Sequence, residues 1–252
     1  PTESGLLMLP MVLGMMTATM VSGQVTSKTG KYKIFMVVGT GMLMSGYLSL
    51  FNYTFETPIW VMSISMVIIG MGLGQLMQTL TLAAQNSVEA KDIGVATSST
   101  MFFRQMGGTL GVAVFISILF NRLPDAIKES FGTKAAADGF ASAAADQTLS
   151  AQERGMAQGF MAVSKDPSLF DKMNSTAGAP DLSTDSSFLT GLDSRLARPF
   201  LEGFANSAVL VFMSAAAVVA VAFVLSFVIK APALRTKSAA EEKAAAAAAA
   251  AH

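Results

Sequence analysis

The sequence predicts an all-α integral membrane fold, a bundle of about five transmembrane helices with an extracytoplasmic loop segment. Three observations predict it. Apolar residues make up 52% of the 252 positions and charged residues only 13%, against roughly 25% charged in an ordinary soluble domain. Several stretches are as long as a bilayer is thick and nearly free of charge. The Lys and Arg residues of the short connections fall on alternate sides of those stretches, as they do in an inserted chain.

A hydrocarbon core about 30 Å thick needs about 20 apolar residues in a helix. The first stretch runs from Gly5 to about Gly23, with no charge between Glu3 and Lys28. The second, Ile34 to Asn52, is uncharged, and the third, Ile59 to about Ala84, has no charge from Trp60 to Val88. The fourth, about Ile93 to Phe120, contains one charge, Arg104. The last, Gly203 to Ile229, is uncharged and rich in Ala, Val and Phe. In hydrocarbon a backbone must satisfy its own hydrogen bonds, which leaves helices or closed barrels, and none of these stretches alternates as a barrel strand does. The expected division is four transmembrane helices over 1–120, an extracytoplasmic loop segment over 121–202, a last transmembrane helix over 203–229, and a cytoplasmic tail over 230–252 that ends in the low-complexity run Ala244 to Ala251.

Orientation follows from the basic residues. The first link carries Lys28, Lys31 and Lys33 and no acid, so it is expected in the cytoplasm; the second, Phe51 to Pro58, has Glu56 and no base and is expected outside. Lys91 in the third link and Lys230, Arg235 and Lys237 in the tail fall inside by alternation. A multi-pass protein of the plasma (inner) membrane is expected. Within the outside segment, Ala151 to Val163 and Ser186 to Ala197 read as short surface helices, with Gly178, Ala179 and Pro180 as punctuation.

Composition also excludes functions. The 17 basic and 17 acidic residues cancel, so no nucleic-acid partner is implied, and there is no Cys. The single His is His252, at the terminus. Thiol chemistry, disulfides and His-based metal sites are therefore not expected, nor is a cofactor or an enzyme activity. Pro1 to Gly5 lacks the basic region of a signal peptide, and a chain with further sequence upstream is expected.

The run Gly5-Leu-Leu-Met-Leu-Pro10-Met-Val-Leu-Gly14-Met-Met, followed by Gly23-Gln-Val-Thr-Ser27-Lys28-Thr-Gly30-Lys31, resembles the C-terminal half of a major facilitator superfamily transporter, in the branch of fourteen-helix drug:proton antiporters. Leu80-Thr-Leu-Ala-Ala-Gln85-Asn86, Gly94-Val-Ala-Thr and Phe102-Phe-Arg104-Gln105-Met-Gly107-Gly108-Thr-Leu-Gly111-Val-Ala carry the same resemblance, as does the end of the last helix at Lys230-Ala-Pro232. It covers about 1–122 and 196–235 and leaves the intervening loop out. The resemblance implies a partial major-facilitator bundle, helices ten to fourteen of fourteen, whose N-terminal half is a partner outside this chain. It also implies a midplane substrate site, rocking between access states, and a proton-coupling acid in that other half; no buried acid is expected in these five stretches.

Several residues are singled out. The loop Gly23, Lys28, Gly30, Lys31 resembles the superfamily's cytoplasmic loop signature, with Ser27 where an Asp normally stands; a plain positively charged link among anionic lipid headgroups is the other reading. Arg104, about 11 residues or about 17 Å into its helix, is expected either at an inner gate or snorkelling to headgroups. The spacings Gly70-x-Gly72-x-Gly74 and Gly107, Gly108, Gly111 permit close helix contact, as do Gly39, Gly41 and Gly46. Three polar faces are expected to line a substrate cavity: Met8, Met15, Thr19 and Ser22; Trp60, Ile64, Val67, Met71, Gln75, Gln78, Leu82 and Gln85; and Phe102, Gln105, Thr109 and Val112. Hydrogen bonding between helices is the alternative for the amides. Met8, Met15 and Met71 suit varied apolar substrates. The last helix, polar after Ser207 only at Ser214 and Ser226, is expected to face lipid.

The leading expectation is a secondary active transporter that exports hydrophobic or amphipathic drugs against protons. The alternatives are export of a native metabolite, lipid or siderophore, and a non-transporting membrane protein whose segment Asn121 to Glu202 binds a partner. A compact outside domain would favour the last.

Overall fold

The structure, a computed structural model, describes residues 2–51, 53–54, 56–170 and 191–229, with the side chains of 2–4, 6 and 7 left aside. The expectations for Asn52, Gly178, Ala179, Pro180, 186–190, Lys230 to Pro232, Arg235, Lys237 and Ala244 to Ala251 lie outside the described residues. The described chain is helical throughout: α1 (Thr2–Thr29), α2 (Lys33–Ser49), α3 (Ile59–Asn86), a 3-10 turn (Ala90–Asp92), α4 (Ile93–Phe131), α5 (Lys134–Ala145), α6 (Ala151–Lys165) and α7 (Ser194–Val228). Four helical segments, Met8–Thr29, Ile59–Asn86, Ala90–Phe131 and Ser194–Val228, are long and apolar enough to cross a membrane. The expected second span, α2, has 17 residues, about 26 Å of helix and the short limit for crossing.

Residues cluster into two compact units. The first holds 1–51, 58–112 and 212–252. In it α3 packs against α1 along one side and α2 along the other. Lipid is as apolar as a leucine side chain, so such helices are held by close packing of small residues rather than by escape from water. The sequence supplies them. A Cβ on Gly14 would lie 2.7 Å from the Val67 carbonyl oxygen, and Gly70 and Gly74 sit directly on the carbonyls of Met11 and Met15. On the other side, a Cβ on Gly72 would meet the Gly39 carbonyl oxygen at 2.7 Å, and one on Gly46 would meet Ile69. The outer surfaces are apolar: Met16, Val95, Phe103 and Val218 are each more than half exposed. That is tolerable in hydrocarbon and not in water.

The turn between α1 and α2 is set by Gly30, whose φ of 68° is a left-handed conformation. Its N–H donates to the Thr26 carbonyl at 2.8 Å, which closes α1 with the usual glycine cap. Lys33 Nζ donates to the Phe227 carbonyl oxygen at 3.0 Å, so the α1–α2 turn and the end of α7 lie at the same end of this unit.

The second unit holds 52–57 and 113–211, and it departs from the expected loop. α4 does not stop near Phe120 but runs to Phe131, and α7 starts at Ser194 rather than at Gly203. α6 lies where a surface helix is expected over Ala151 to Val163; Ser150 and Glu153 form a reciprocal capping box at its start. α5, begun by a Thr133 cap, is additional. Together they bury a core of Leu123, Ile127, Phe131, Phe140, Phe170, Leu196 and Phe200. Among the described residues, no large apolar side chain between 121 and 203 is exposed, whereas Phe120 and Phe204 are. The exposed apolar surface of α4 therefore ends at Phe120 and that of α7 begins at Phe204, and between these points both helices belong to the second core, called the cap below.

Candidate functional site

The three faces expected to line a cavity meet different fates. Met15, Thr19, Met71 and Gln78 are brought together, but along the α1–α3 seam. Thr19 Oγ1 lies 2.8 Å from the Met15 carbonyl oxygen and 3.0 Å from that of Gly74, so its hydroxyl ties the two helices at their closest approach. Ser22 is fully buried beside it and donates to the Thr19 carbonyl. Gly23 leaves room for the half-buried Gln78, whose amide nitrogen would stand 3.8 Å from a Cβ there.

Gln75 and Gln78 part company. Residues three apart on a helix differ by about 60° around its axis, enough for Gln78 to lie against α1 and Gln75 against α2. Gln75 is 8% exposed. Its Nε2 donates to the Met42 sulfur at 3.3 Å, a weak acceptor, and its Oε1 is buried with no hydrogen-bond partner. Such an orphaned acceptor costs about 1 to 3 kcal/mol. Replacing Gln75 with Met should therefore leave the melting temperature unchanged or raise it. Gln78→Ala should shift the substrate profile with little loss of stability. A fall in melting temperature for Gln75→Met, measured by thermal unfolding in detergent, would show that the amide ties α2 to α3 after all.

The α4 residues stand apart from the seams. Phe102, Arg104, Gln105, Gly107, Gly108 and Thr109 are exposed and Gly111 is half-buried, and a Cβ on Gly107 or Gly108 would meet nothing within 4 Å. Phe102 stacks edge-on against Phe103 at 5.6 Å, and Thr109 Oγ1 turns back to the Gln105 carbonyl oxygen at 3.0 Å. Gln85, at the end of α3, donates to Thr97 Oγ1 on α4 at 2.9 Å. Arg104 makes no hydrogen bond or ion pair among the described residues. A guanidinium in an apolar segment requires hydration or partners, and this stretch of α4 is left uncovered on all sides by the described helices, with Met101, Phe103, Met106 and Leu110 exposed as well. Lys28 and Lys31 are exposed at the α1–α2 turn.

Polar ties missed by sequence reasoning lie in the cap. Arg198 Nε donates to Glu202 at 2.6 Å and Nη2 to Glu56 at 2.8 Å, which joins the α2–α3 link to the start of α7. Asp193 caps α7 through the Arg195 N–H at 2.9 Å and binds the Arg195 guanidinium, which also reaches Asp146 at 2.9 Å. The Thr148 hydroxyl, followed by Arg195, holds the Asp146 carboxyl well below its ordinary range. This stabilisation is complete above the unfolded carboxylate value of about 3.9 and fades as pH drops towards the lower folded value. The i,i+4 pair Arg198 and Glu202 was visible in the sequence, but only a helix starting before Gly203 gives it meaning.

The chain is 27% identical over 237 residues to a tetracycline resistance determinant of Streptomyces rimosus, a match covering 91% of this chain and 62% of that protein. It is 39% identical over 122 residues to an uncharacterized MFS-type transporter of Mycobacterium tuberculosis, 48% of this chain and 18% of the relative. It is 36% identical over 118 residues to the multidrug transporter protein MdtP of Bacillus subtilis, 47% and 22% respectively. The chain thus spans less than two thirds of the length of each of these relatives. No family model matches it, and no solved structure does. The chain is a multi-pass membrane protein whose homologues are transporters of the major facilitator superfamily, matched over a part of their length that suits a C-terminal half.

Proposed function

We propose that the chain is the C-terminal part of a proton-coupled exporter of hydrophobic or amphipathic drugs in the plasma membrane. The observation that carries this is the Streptomyces rimosus match, which extends over 91% of this chain. The uncovered strip of α4 supports it: Phe102, Gln105 and Thr109 offer aromatic surface and amide hydrogen bonding to a greasy substrate, and Arg104 sits among them. An N-terminal half laid over that strip would enclose a site between the halves and would supply the proton-accepting acid. Arg104 then stabilises the state closed on the cytoplasmic side, because contacts made in one state only are what bias a two-state equilibrium.

The test is efflux by the whole transporter in cells. Export of a lipophilic dye should stop when a protonophore collapses the gradient, and Arg104→Ala should lower it about tenfold (about 1.4 kcal/mol of lost bias) while membrane insertion is retained. Arg104→Lys should restore little, because an ammonium is a point charge where a guanidinium makes forked contacts. Export that persists without a gradient would remove proton coupling from the reading.

The end bearing Lys28, Lys31 and Lys33 is assigned to the cytoplasm and the cap to the outside. A cysteine placed at Lys31 in this Cys-free chain should resist an impermeant thiol reagent in intact cells, and one at Ser142, exposed on α5, should label. Labelling at Lys31 would reverse the orientation.

A second reading, a membrane protein whose outer segment binds a partner, is favoured by the compactness of the cap and its separate core. In it the protein does not transport, so the whole protein should give no gradient-dependent export of the dye.

A further inference from the structure

We propose that the cavity at the α1–α2 turn binds one anionic phospholipid. The cavity measures 540 Å³ and is lined by Gly30, Lys31, Tyr32, Lys33, Ile34 and Val37. One end of it is basic and the other apolar, the polarity profile of a lipid entering headgroup first. Ile34 is 61% exposed and Val38, one residue beyond Val37, is 46% exposed, so the apolar wall continues along α2 in the direction an acyl chain would take. Tyr32 is buried and forms the floor.

Charge selects the occupant. No acid occurs between residues 4 and 55, while Lys28, Lys31 and Lys33 fall within six positions. Lys33 is spent on the Phe227 carbonyl oxygen. Lys31 on the rim and Lys28, nearly a turn earlier on α1, are exposed, and neither ammonium makes a hydrogen bond or ion pair among the described residues. The other short basic link differs: Lys91 is paired with Glu89 at 2.8 Å. The α1–α2 turn is thus a basic site with no anion of its own among the described residues. A lipid phosphate between Lys28 and Lys31 would neutralise it at the point where Lys33 joins α2 to the end of α7. The inference rests on the membrane-spanning reading alone and needs neither drug export nor proton coupling.

The experiment is native mass spectrometry of the full chain released from nanodiscs of mixed phosphatidylglycerol and phosphatidylcholine. One phosphatidylglycerol should be retained in preference to phosphatidylcholine. Retention should fall about fivefold for each of Lys28→Gln and Lys31→Gln, the effect expected of one lysine at an anionic surface. Lys31→Arg should keep it, and Lys91→Gln should leave it unchanged. Equal retention of the two lipids would overturn the proposal. So would a Lys91→Gln loss as large as that at Lys31, which would signal only the general field of a basic protein. Displacement of the lipid by millimolar inorganic phosphate would reassign the site to a free anion. Dye efflux measured on the same variants separates the two readings: failed efflux with retained lipid sinks the exporter and leaves this site standing.

Discussion

Gly74→Leu should abolish recovery of the folded membrane unit, and Gly74→Ala should already lower its stability by about 3 kcal/mol, the upper end of overpacking costs. A Cβ at position 74 lands on the Met15 carbonyl, and one at Gly70 lands on that of Met11. Both obstacles are backbone, so no side chain can swing away to relieve them. The helices would have to separate, and Thr19 would lose the Gly74 carbonyl it now holds at 3.0 Å. In water such a gap could be offset by reburying apolar surface, but between helices in lipid there is no such drive, and lost contacts stay lost. Gly107→Ala is the control: nothing lies within 4 Å of its Cβ, so in this chain the change should stay within about 0.5 kcal/mol. Thermal unfolding of the detergent-solubilised chain measures both. Equal melting temperatures for Gly74→Ala and Gly107→Ala would mean that the α1–α3 seam is not where the unit is held.

Those two glycines also show what the sequence could convey. Gly70 and Gly74, and Gly107 and Gly111, have the same spacing, and both spacings predict close helix contact. In the structure the first pair meets α1, and a Cβ on Gly107 meets nothing within 4 Å among the described residues. Spacing declares that a helix face is small; it does not name what lies against it. The polar faces divide in a related way. A 3-and-4 periodicity put Gln75 and Gln78 on one face, but α3 is central and packs on two sides, so a 60° difference sends one amide to α2 and the other to α1. The spans themselves were legible, because a bilayer imposes length and apolarity residue by residue. Their ends were not. A fall in hydropathy marks the end of an apolar stretch, not the end of a helix, so α4 and α7 were cut at Phe120 and Gly203 when α4 runs on to Phe131 and α7 begins at Ser194. The cap was hidden for the same reason. Its alanines and scattered phenylalanines are too dilute for a membrane signal, and its core forms only when four helices bring those rings together.

Phe131→Ala should unravel the cap while leaving the α1–α2–α3 bundle folded. The ring is 1% exposed and lies 5.2 to 5.8 Å from the rings of Phe140, Phe160, Phe170 and Phe200, so it touches α5, α6 and α7 as well as its own helix. Truncating a buried Phe costs about 3 to 5 kcal/mol, and the edge-to-face pairs add to that loss. A cap of short helices has little else to hold it: its ion pairs at Arg195 and Arg198 are partly solvated, and water screens such pairs. Limited proteolysis of the solubilised chain should then cut first within 132–193, with a fragment containing α1 to α3 surviving. Gly203 makes a second handle on the same unit, because a Cβ there would lie 2.6 Å from Ile127 Cγ1 and 2.7 Å from its Cα, so Gly203→Ala should loosen the α4–α7 crossing without removing any ring. The roles open to the cap divide on the outcome. If the cap belongs to the exporter, both variants lower efflux in proportion to the cap's loss of protection. If it serves only to hold a partner, efflux survives with the cap unfolded, and the compact outer unit becomes the part of the molecule whose ligand is to be sought. Cleavage of the bundle at the same protease dose as the cap would show instead that the two units unfold as one.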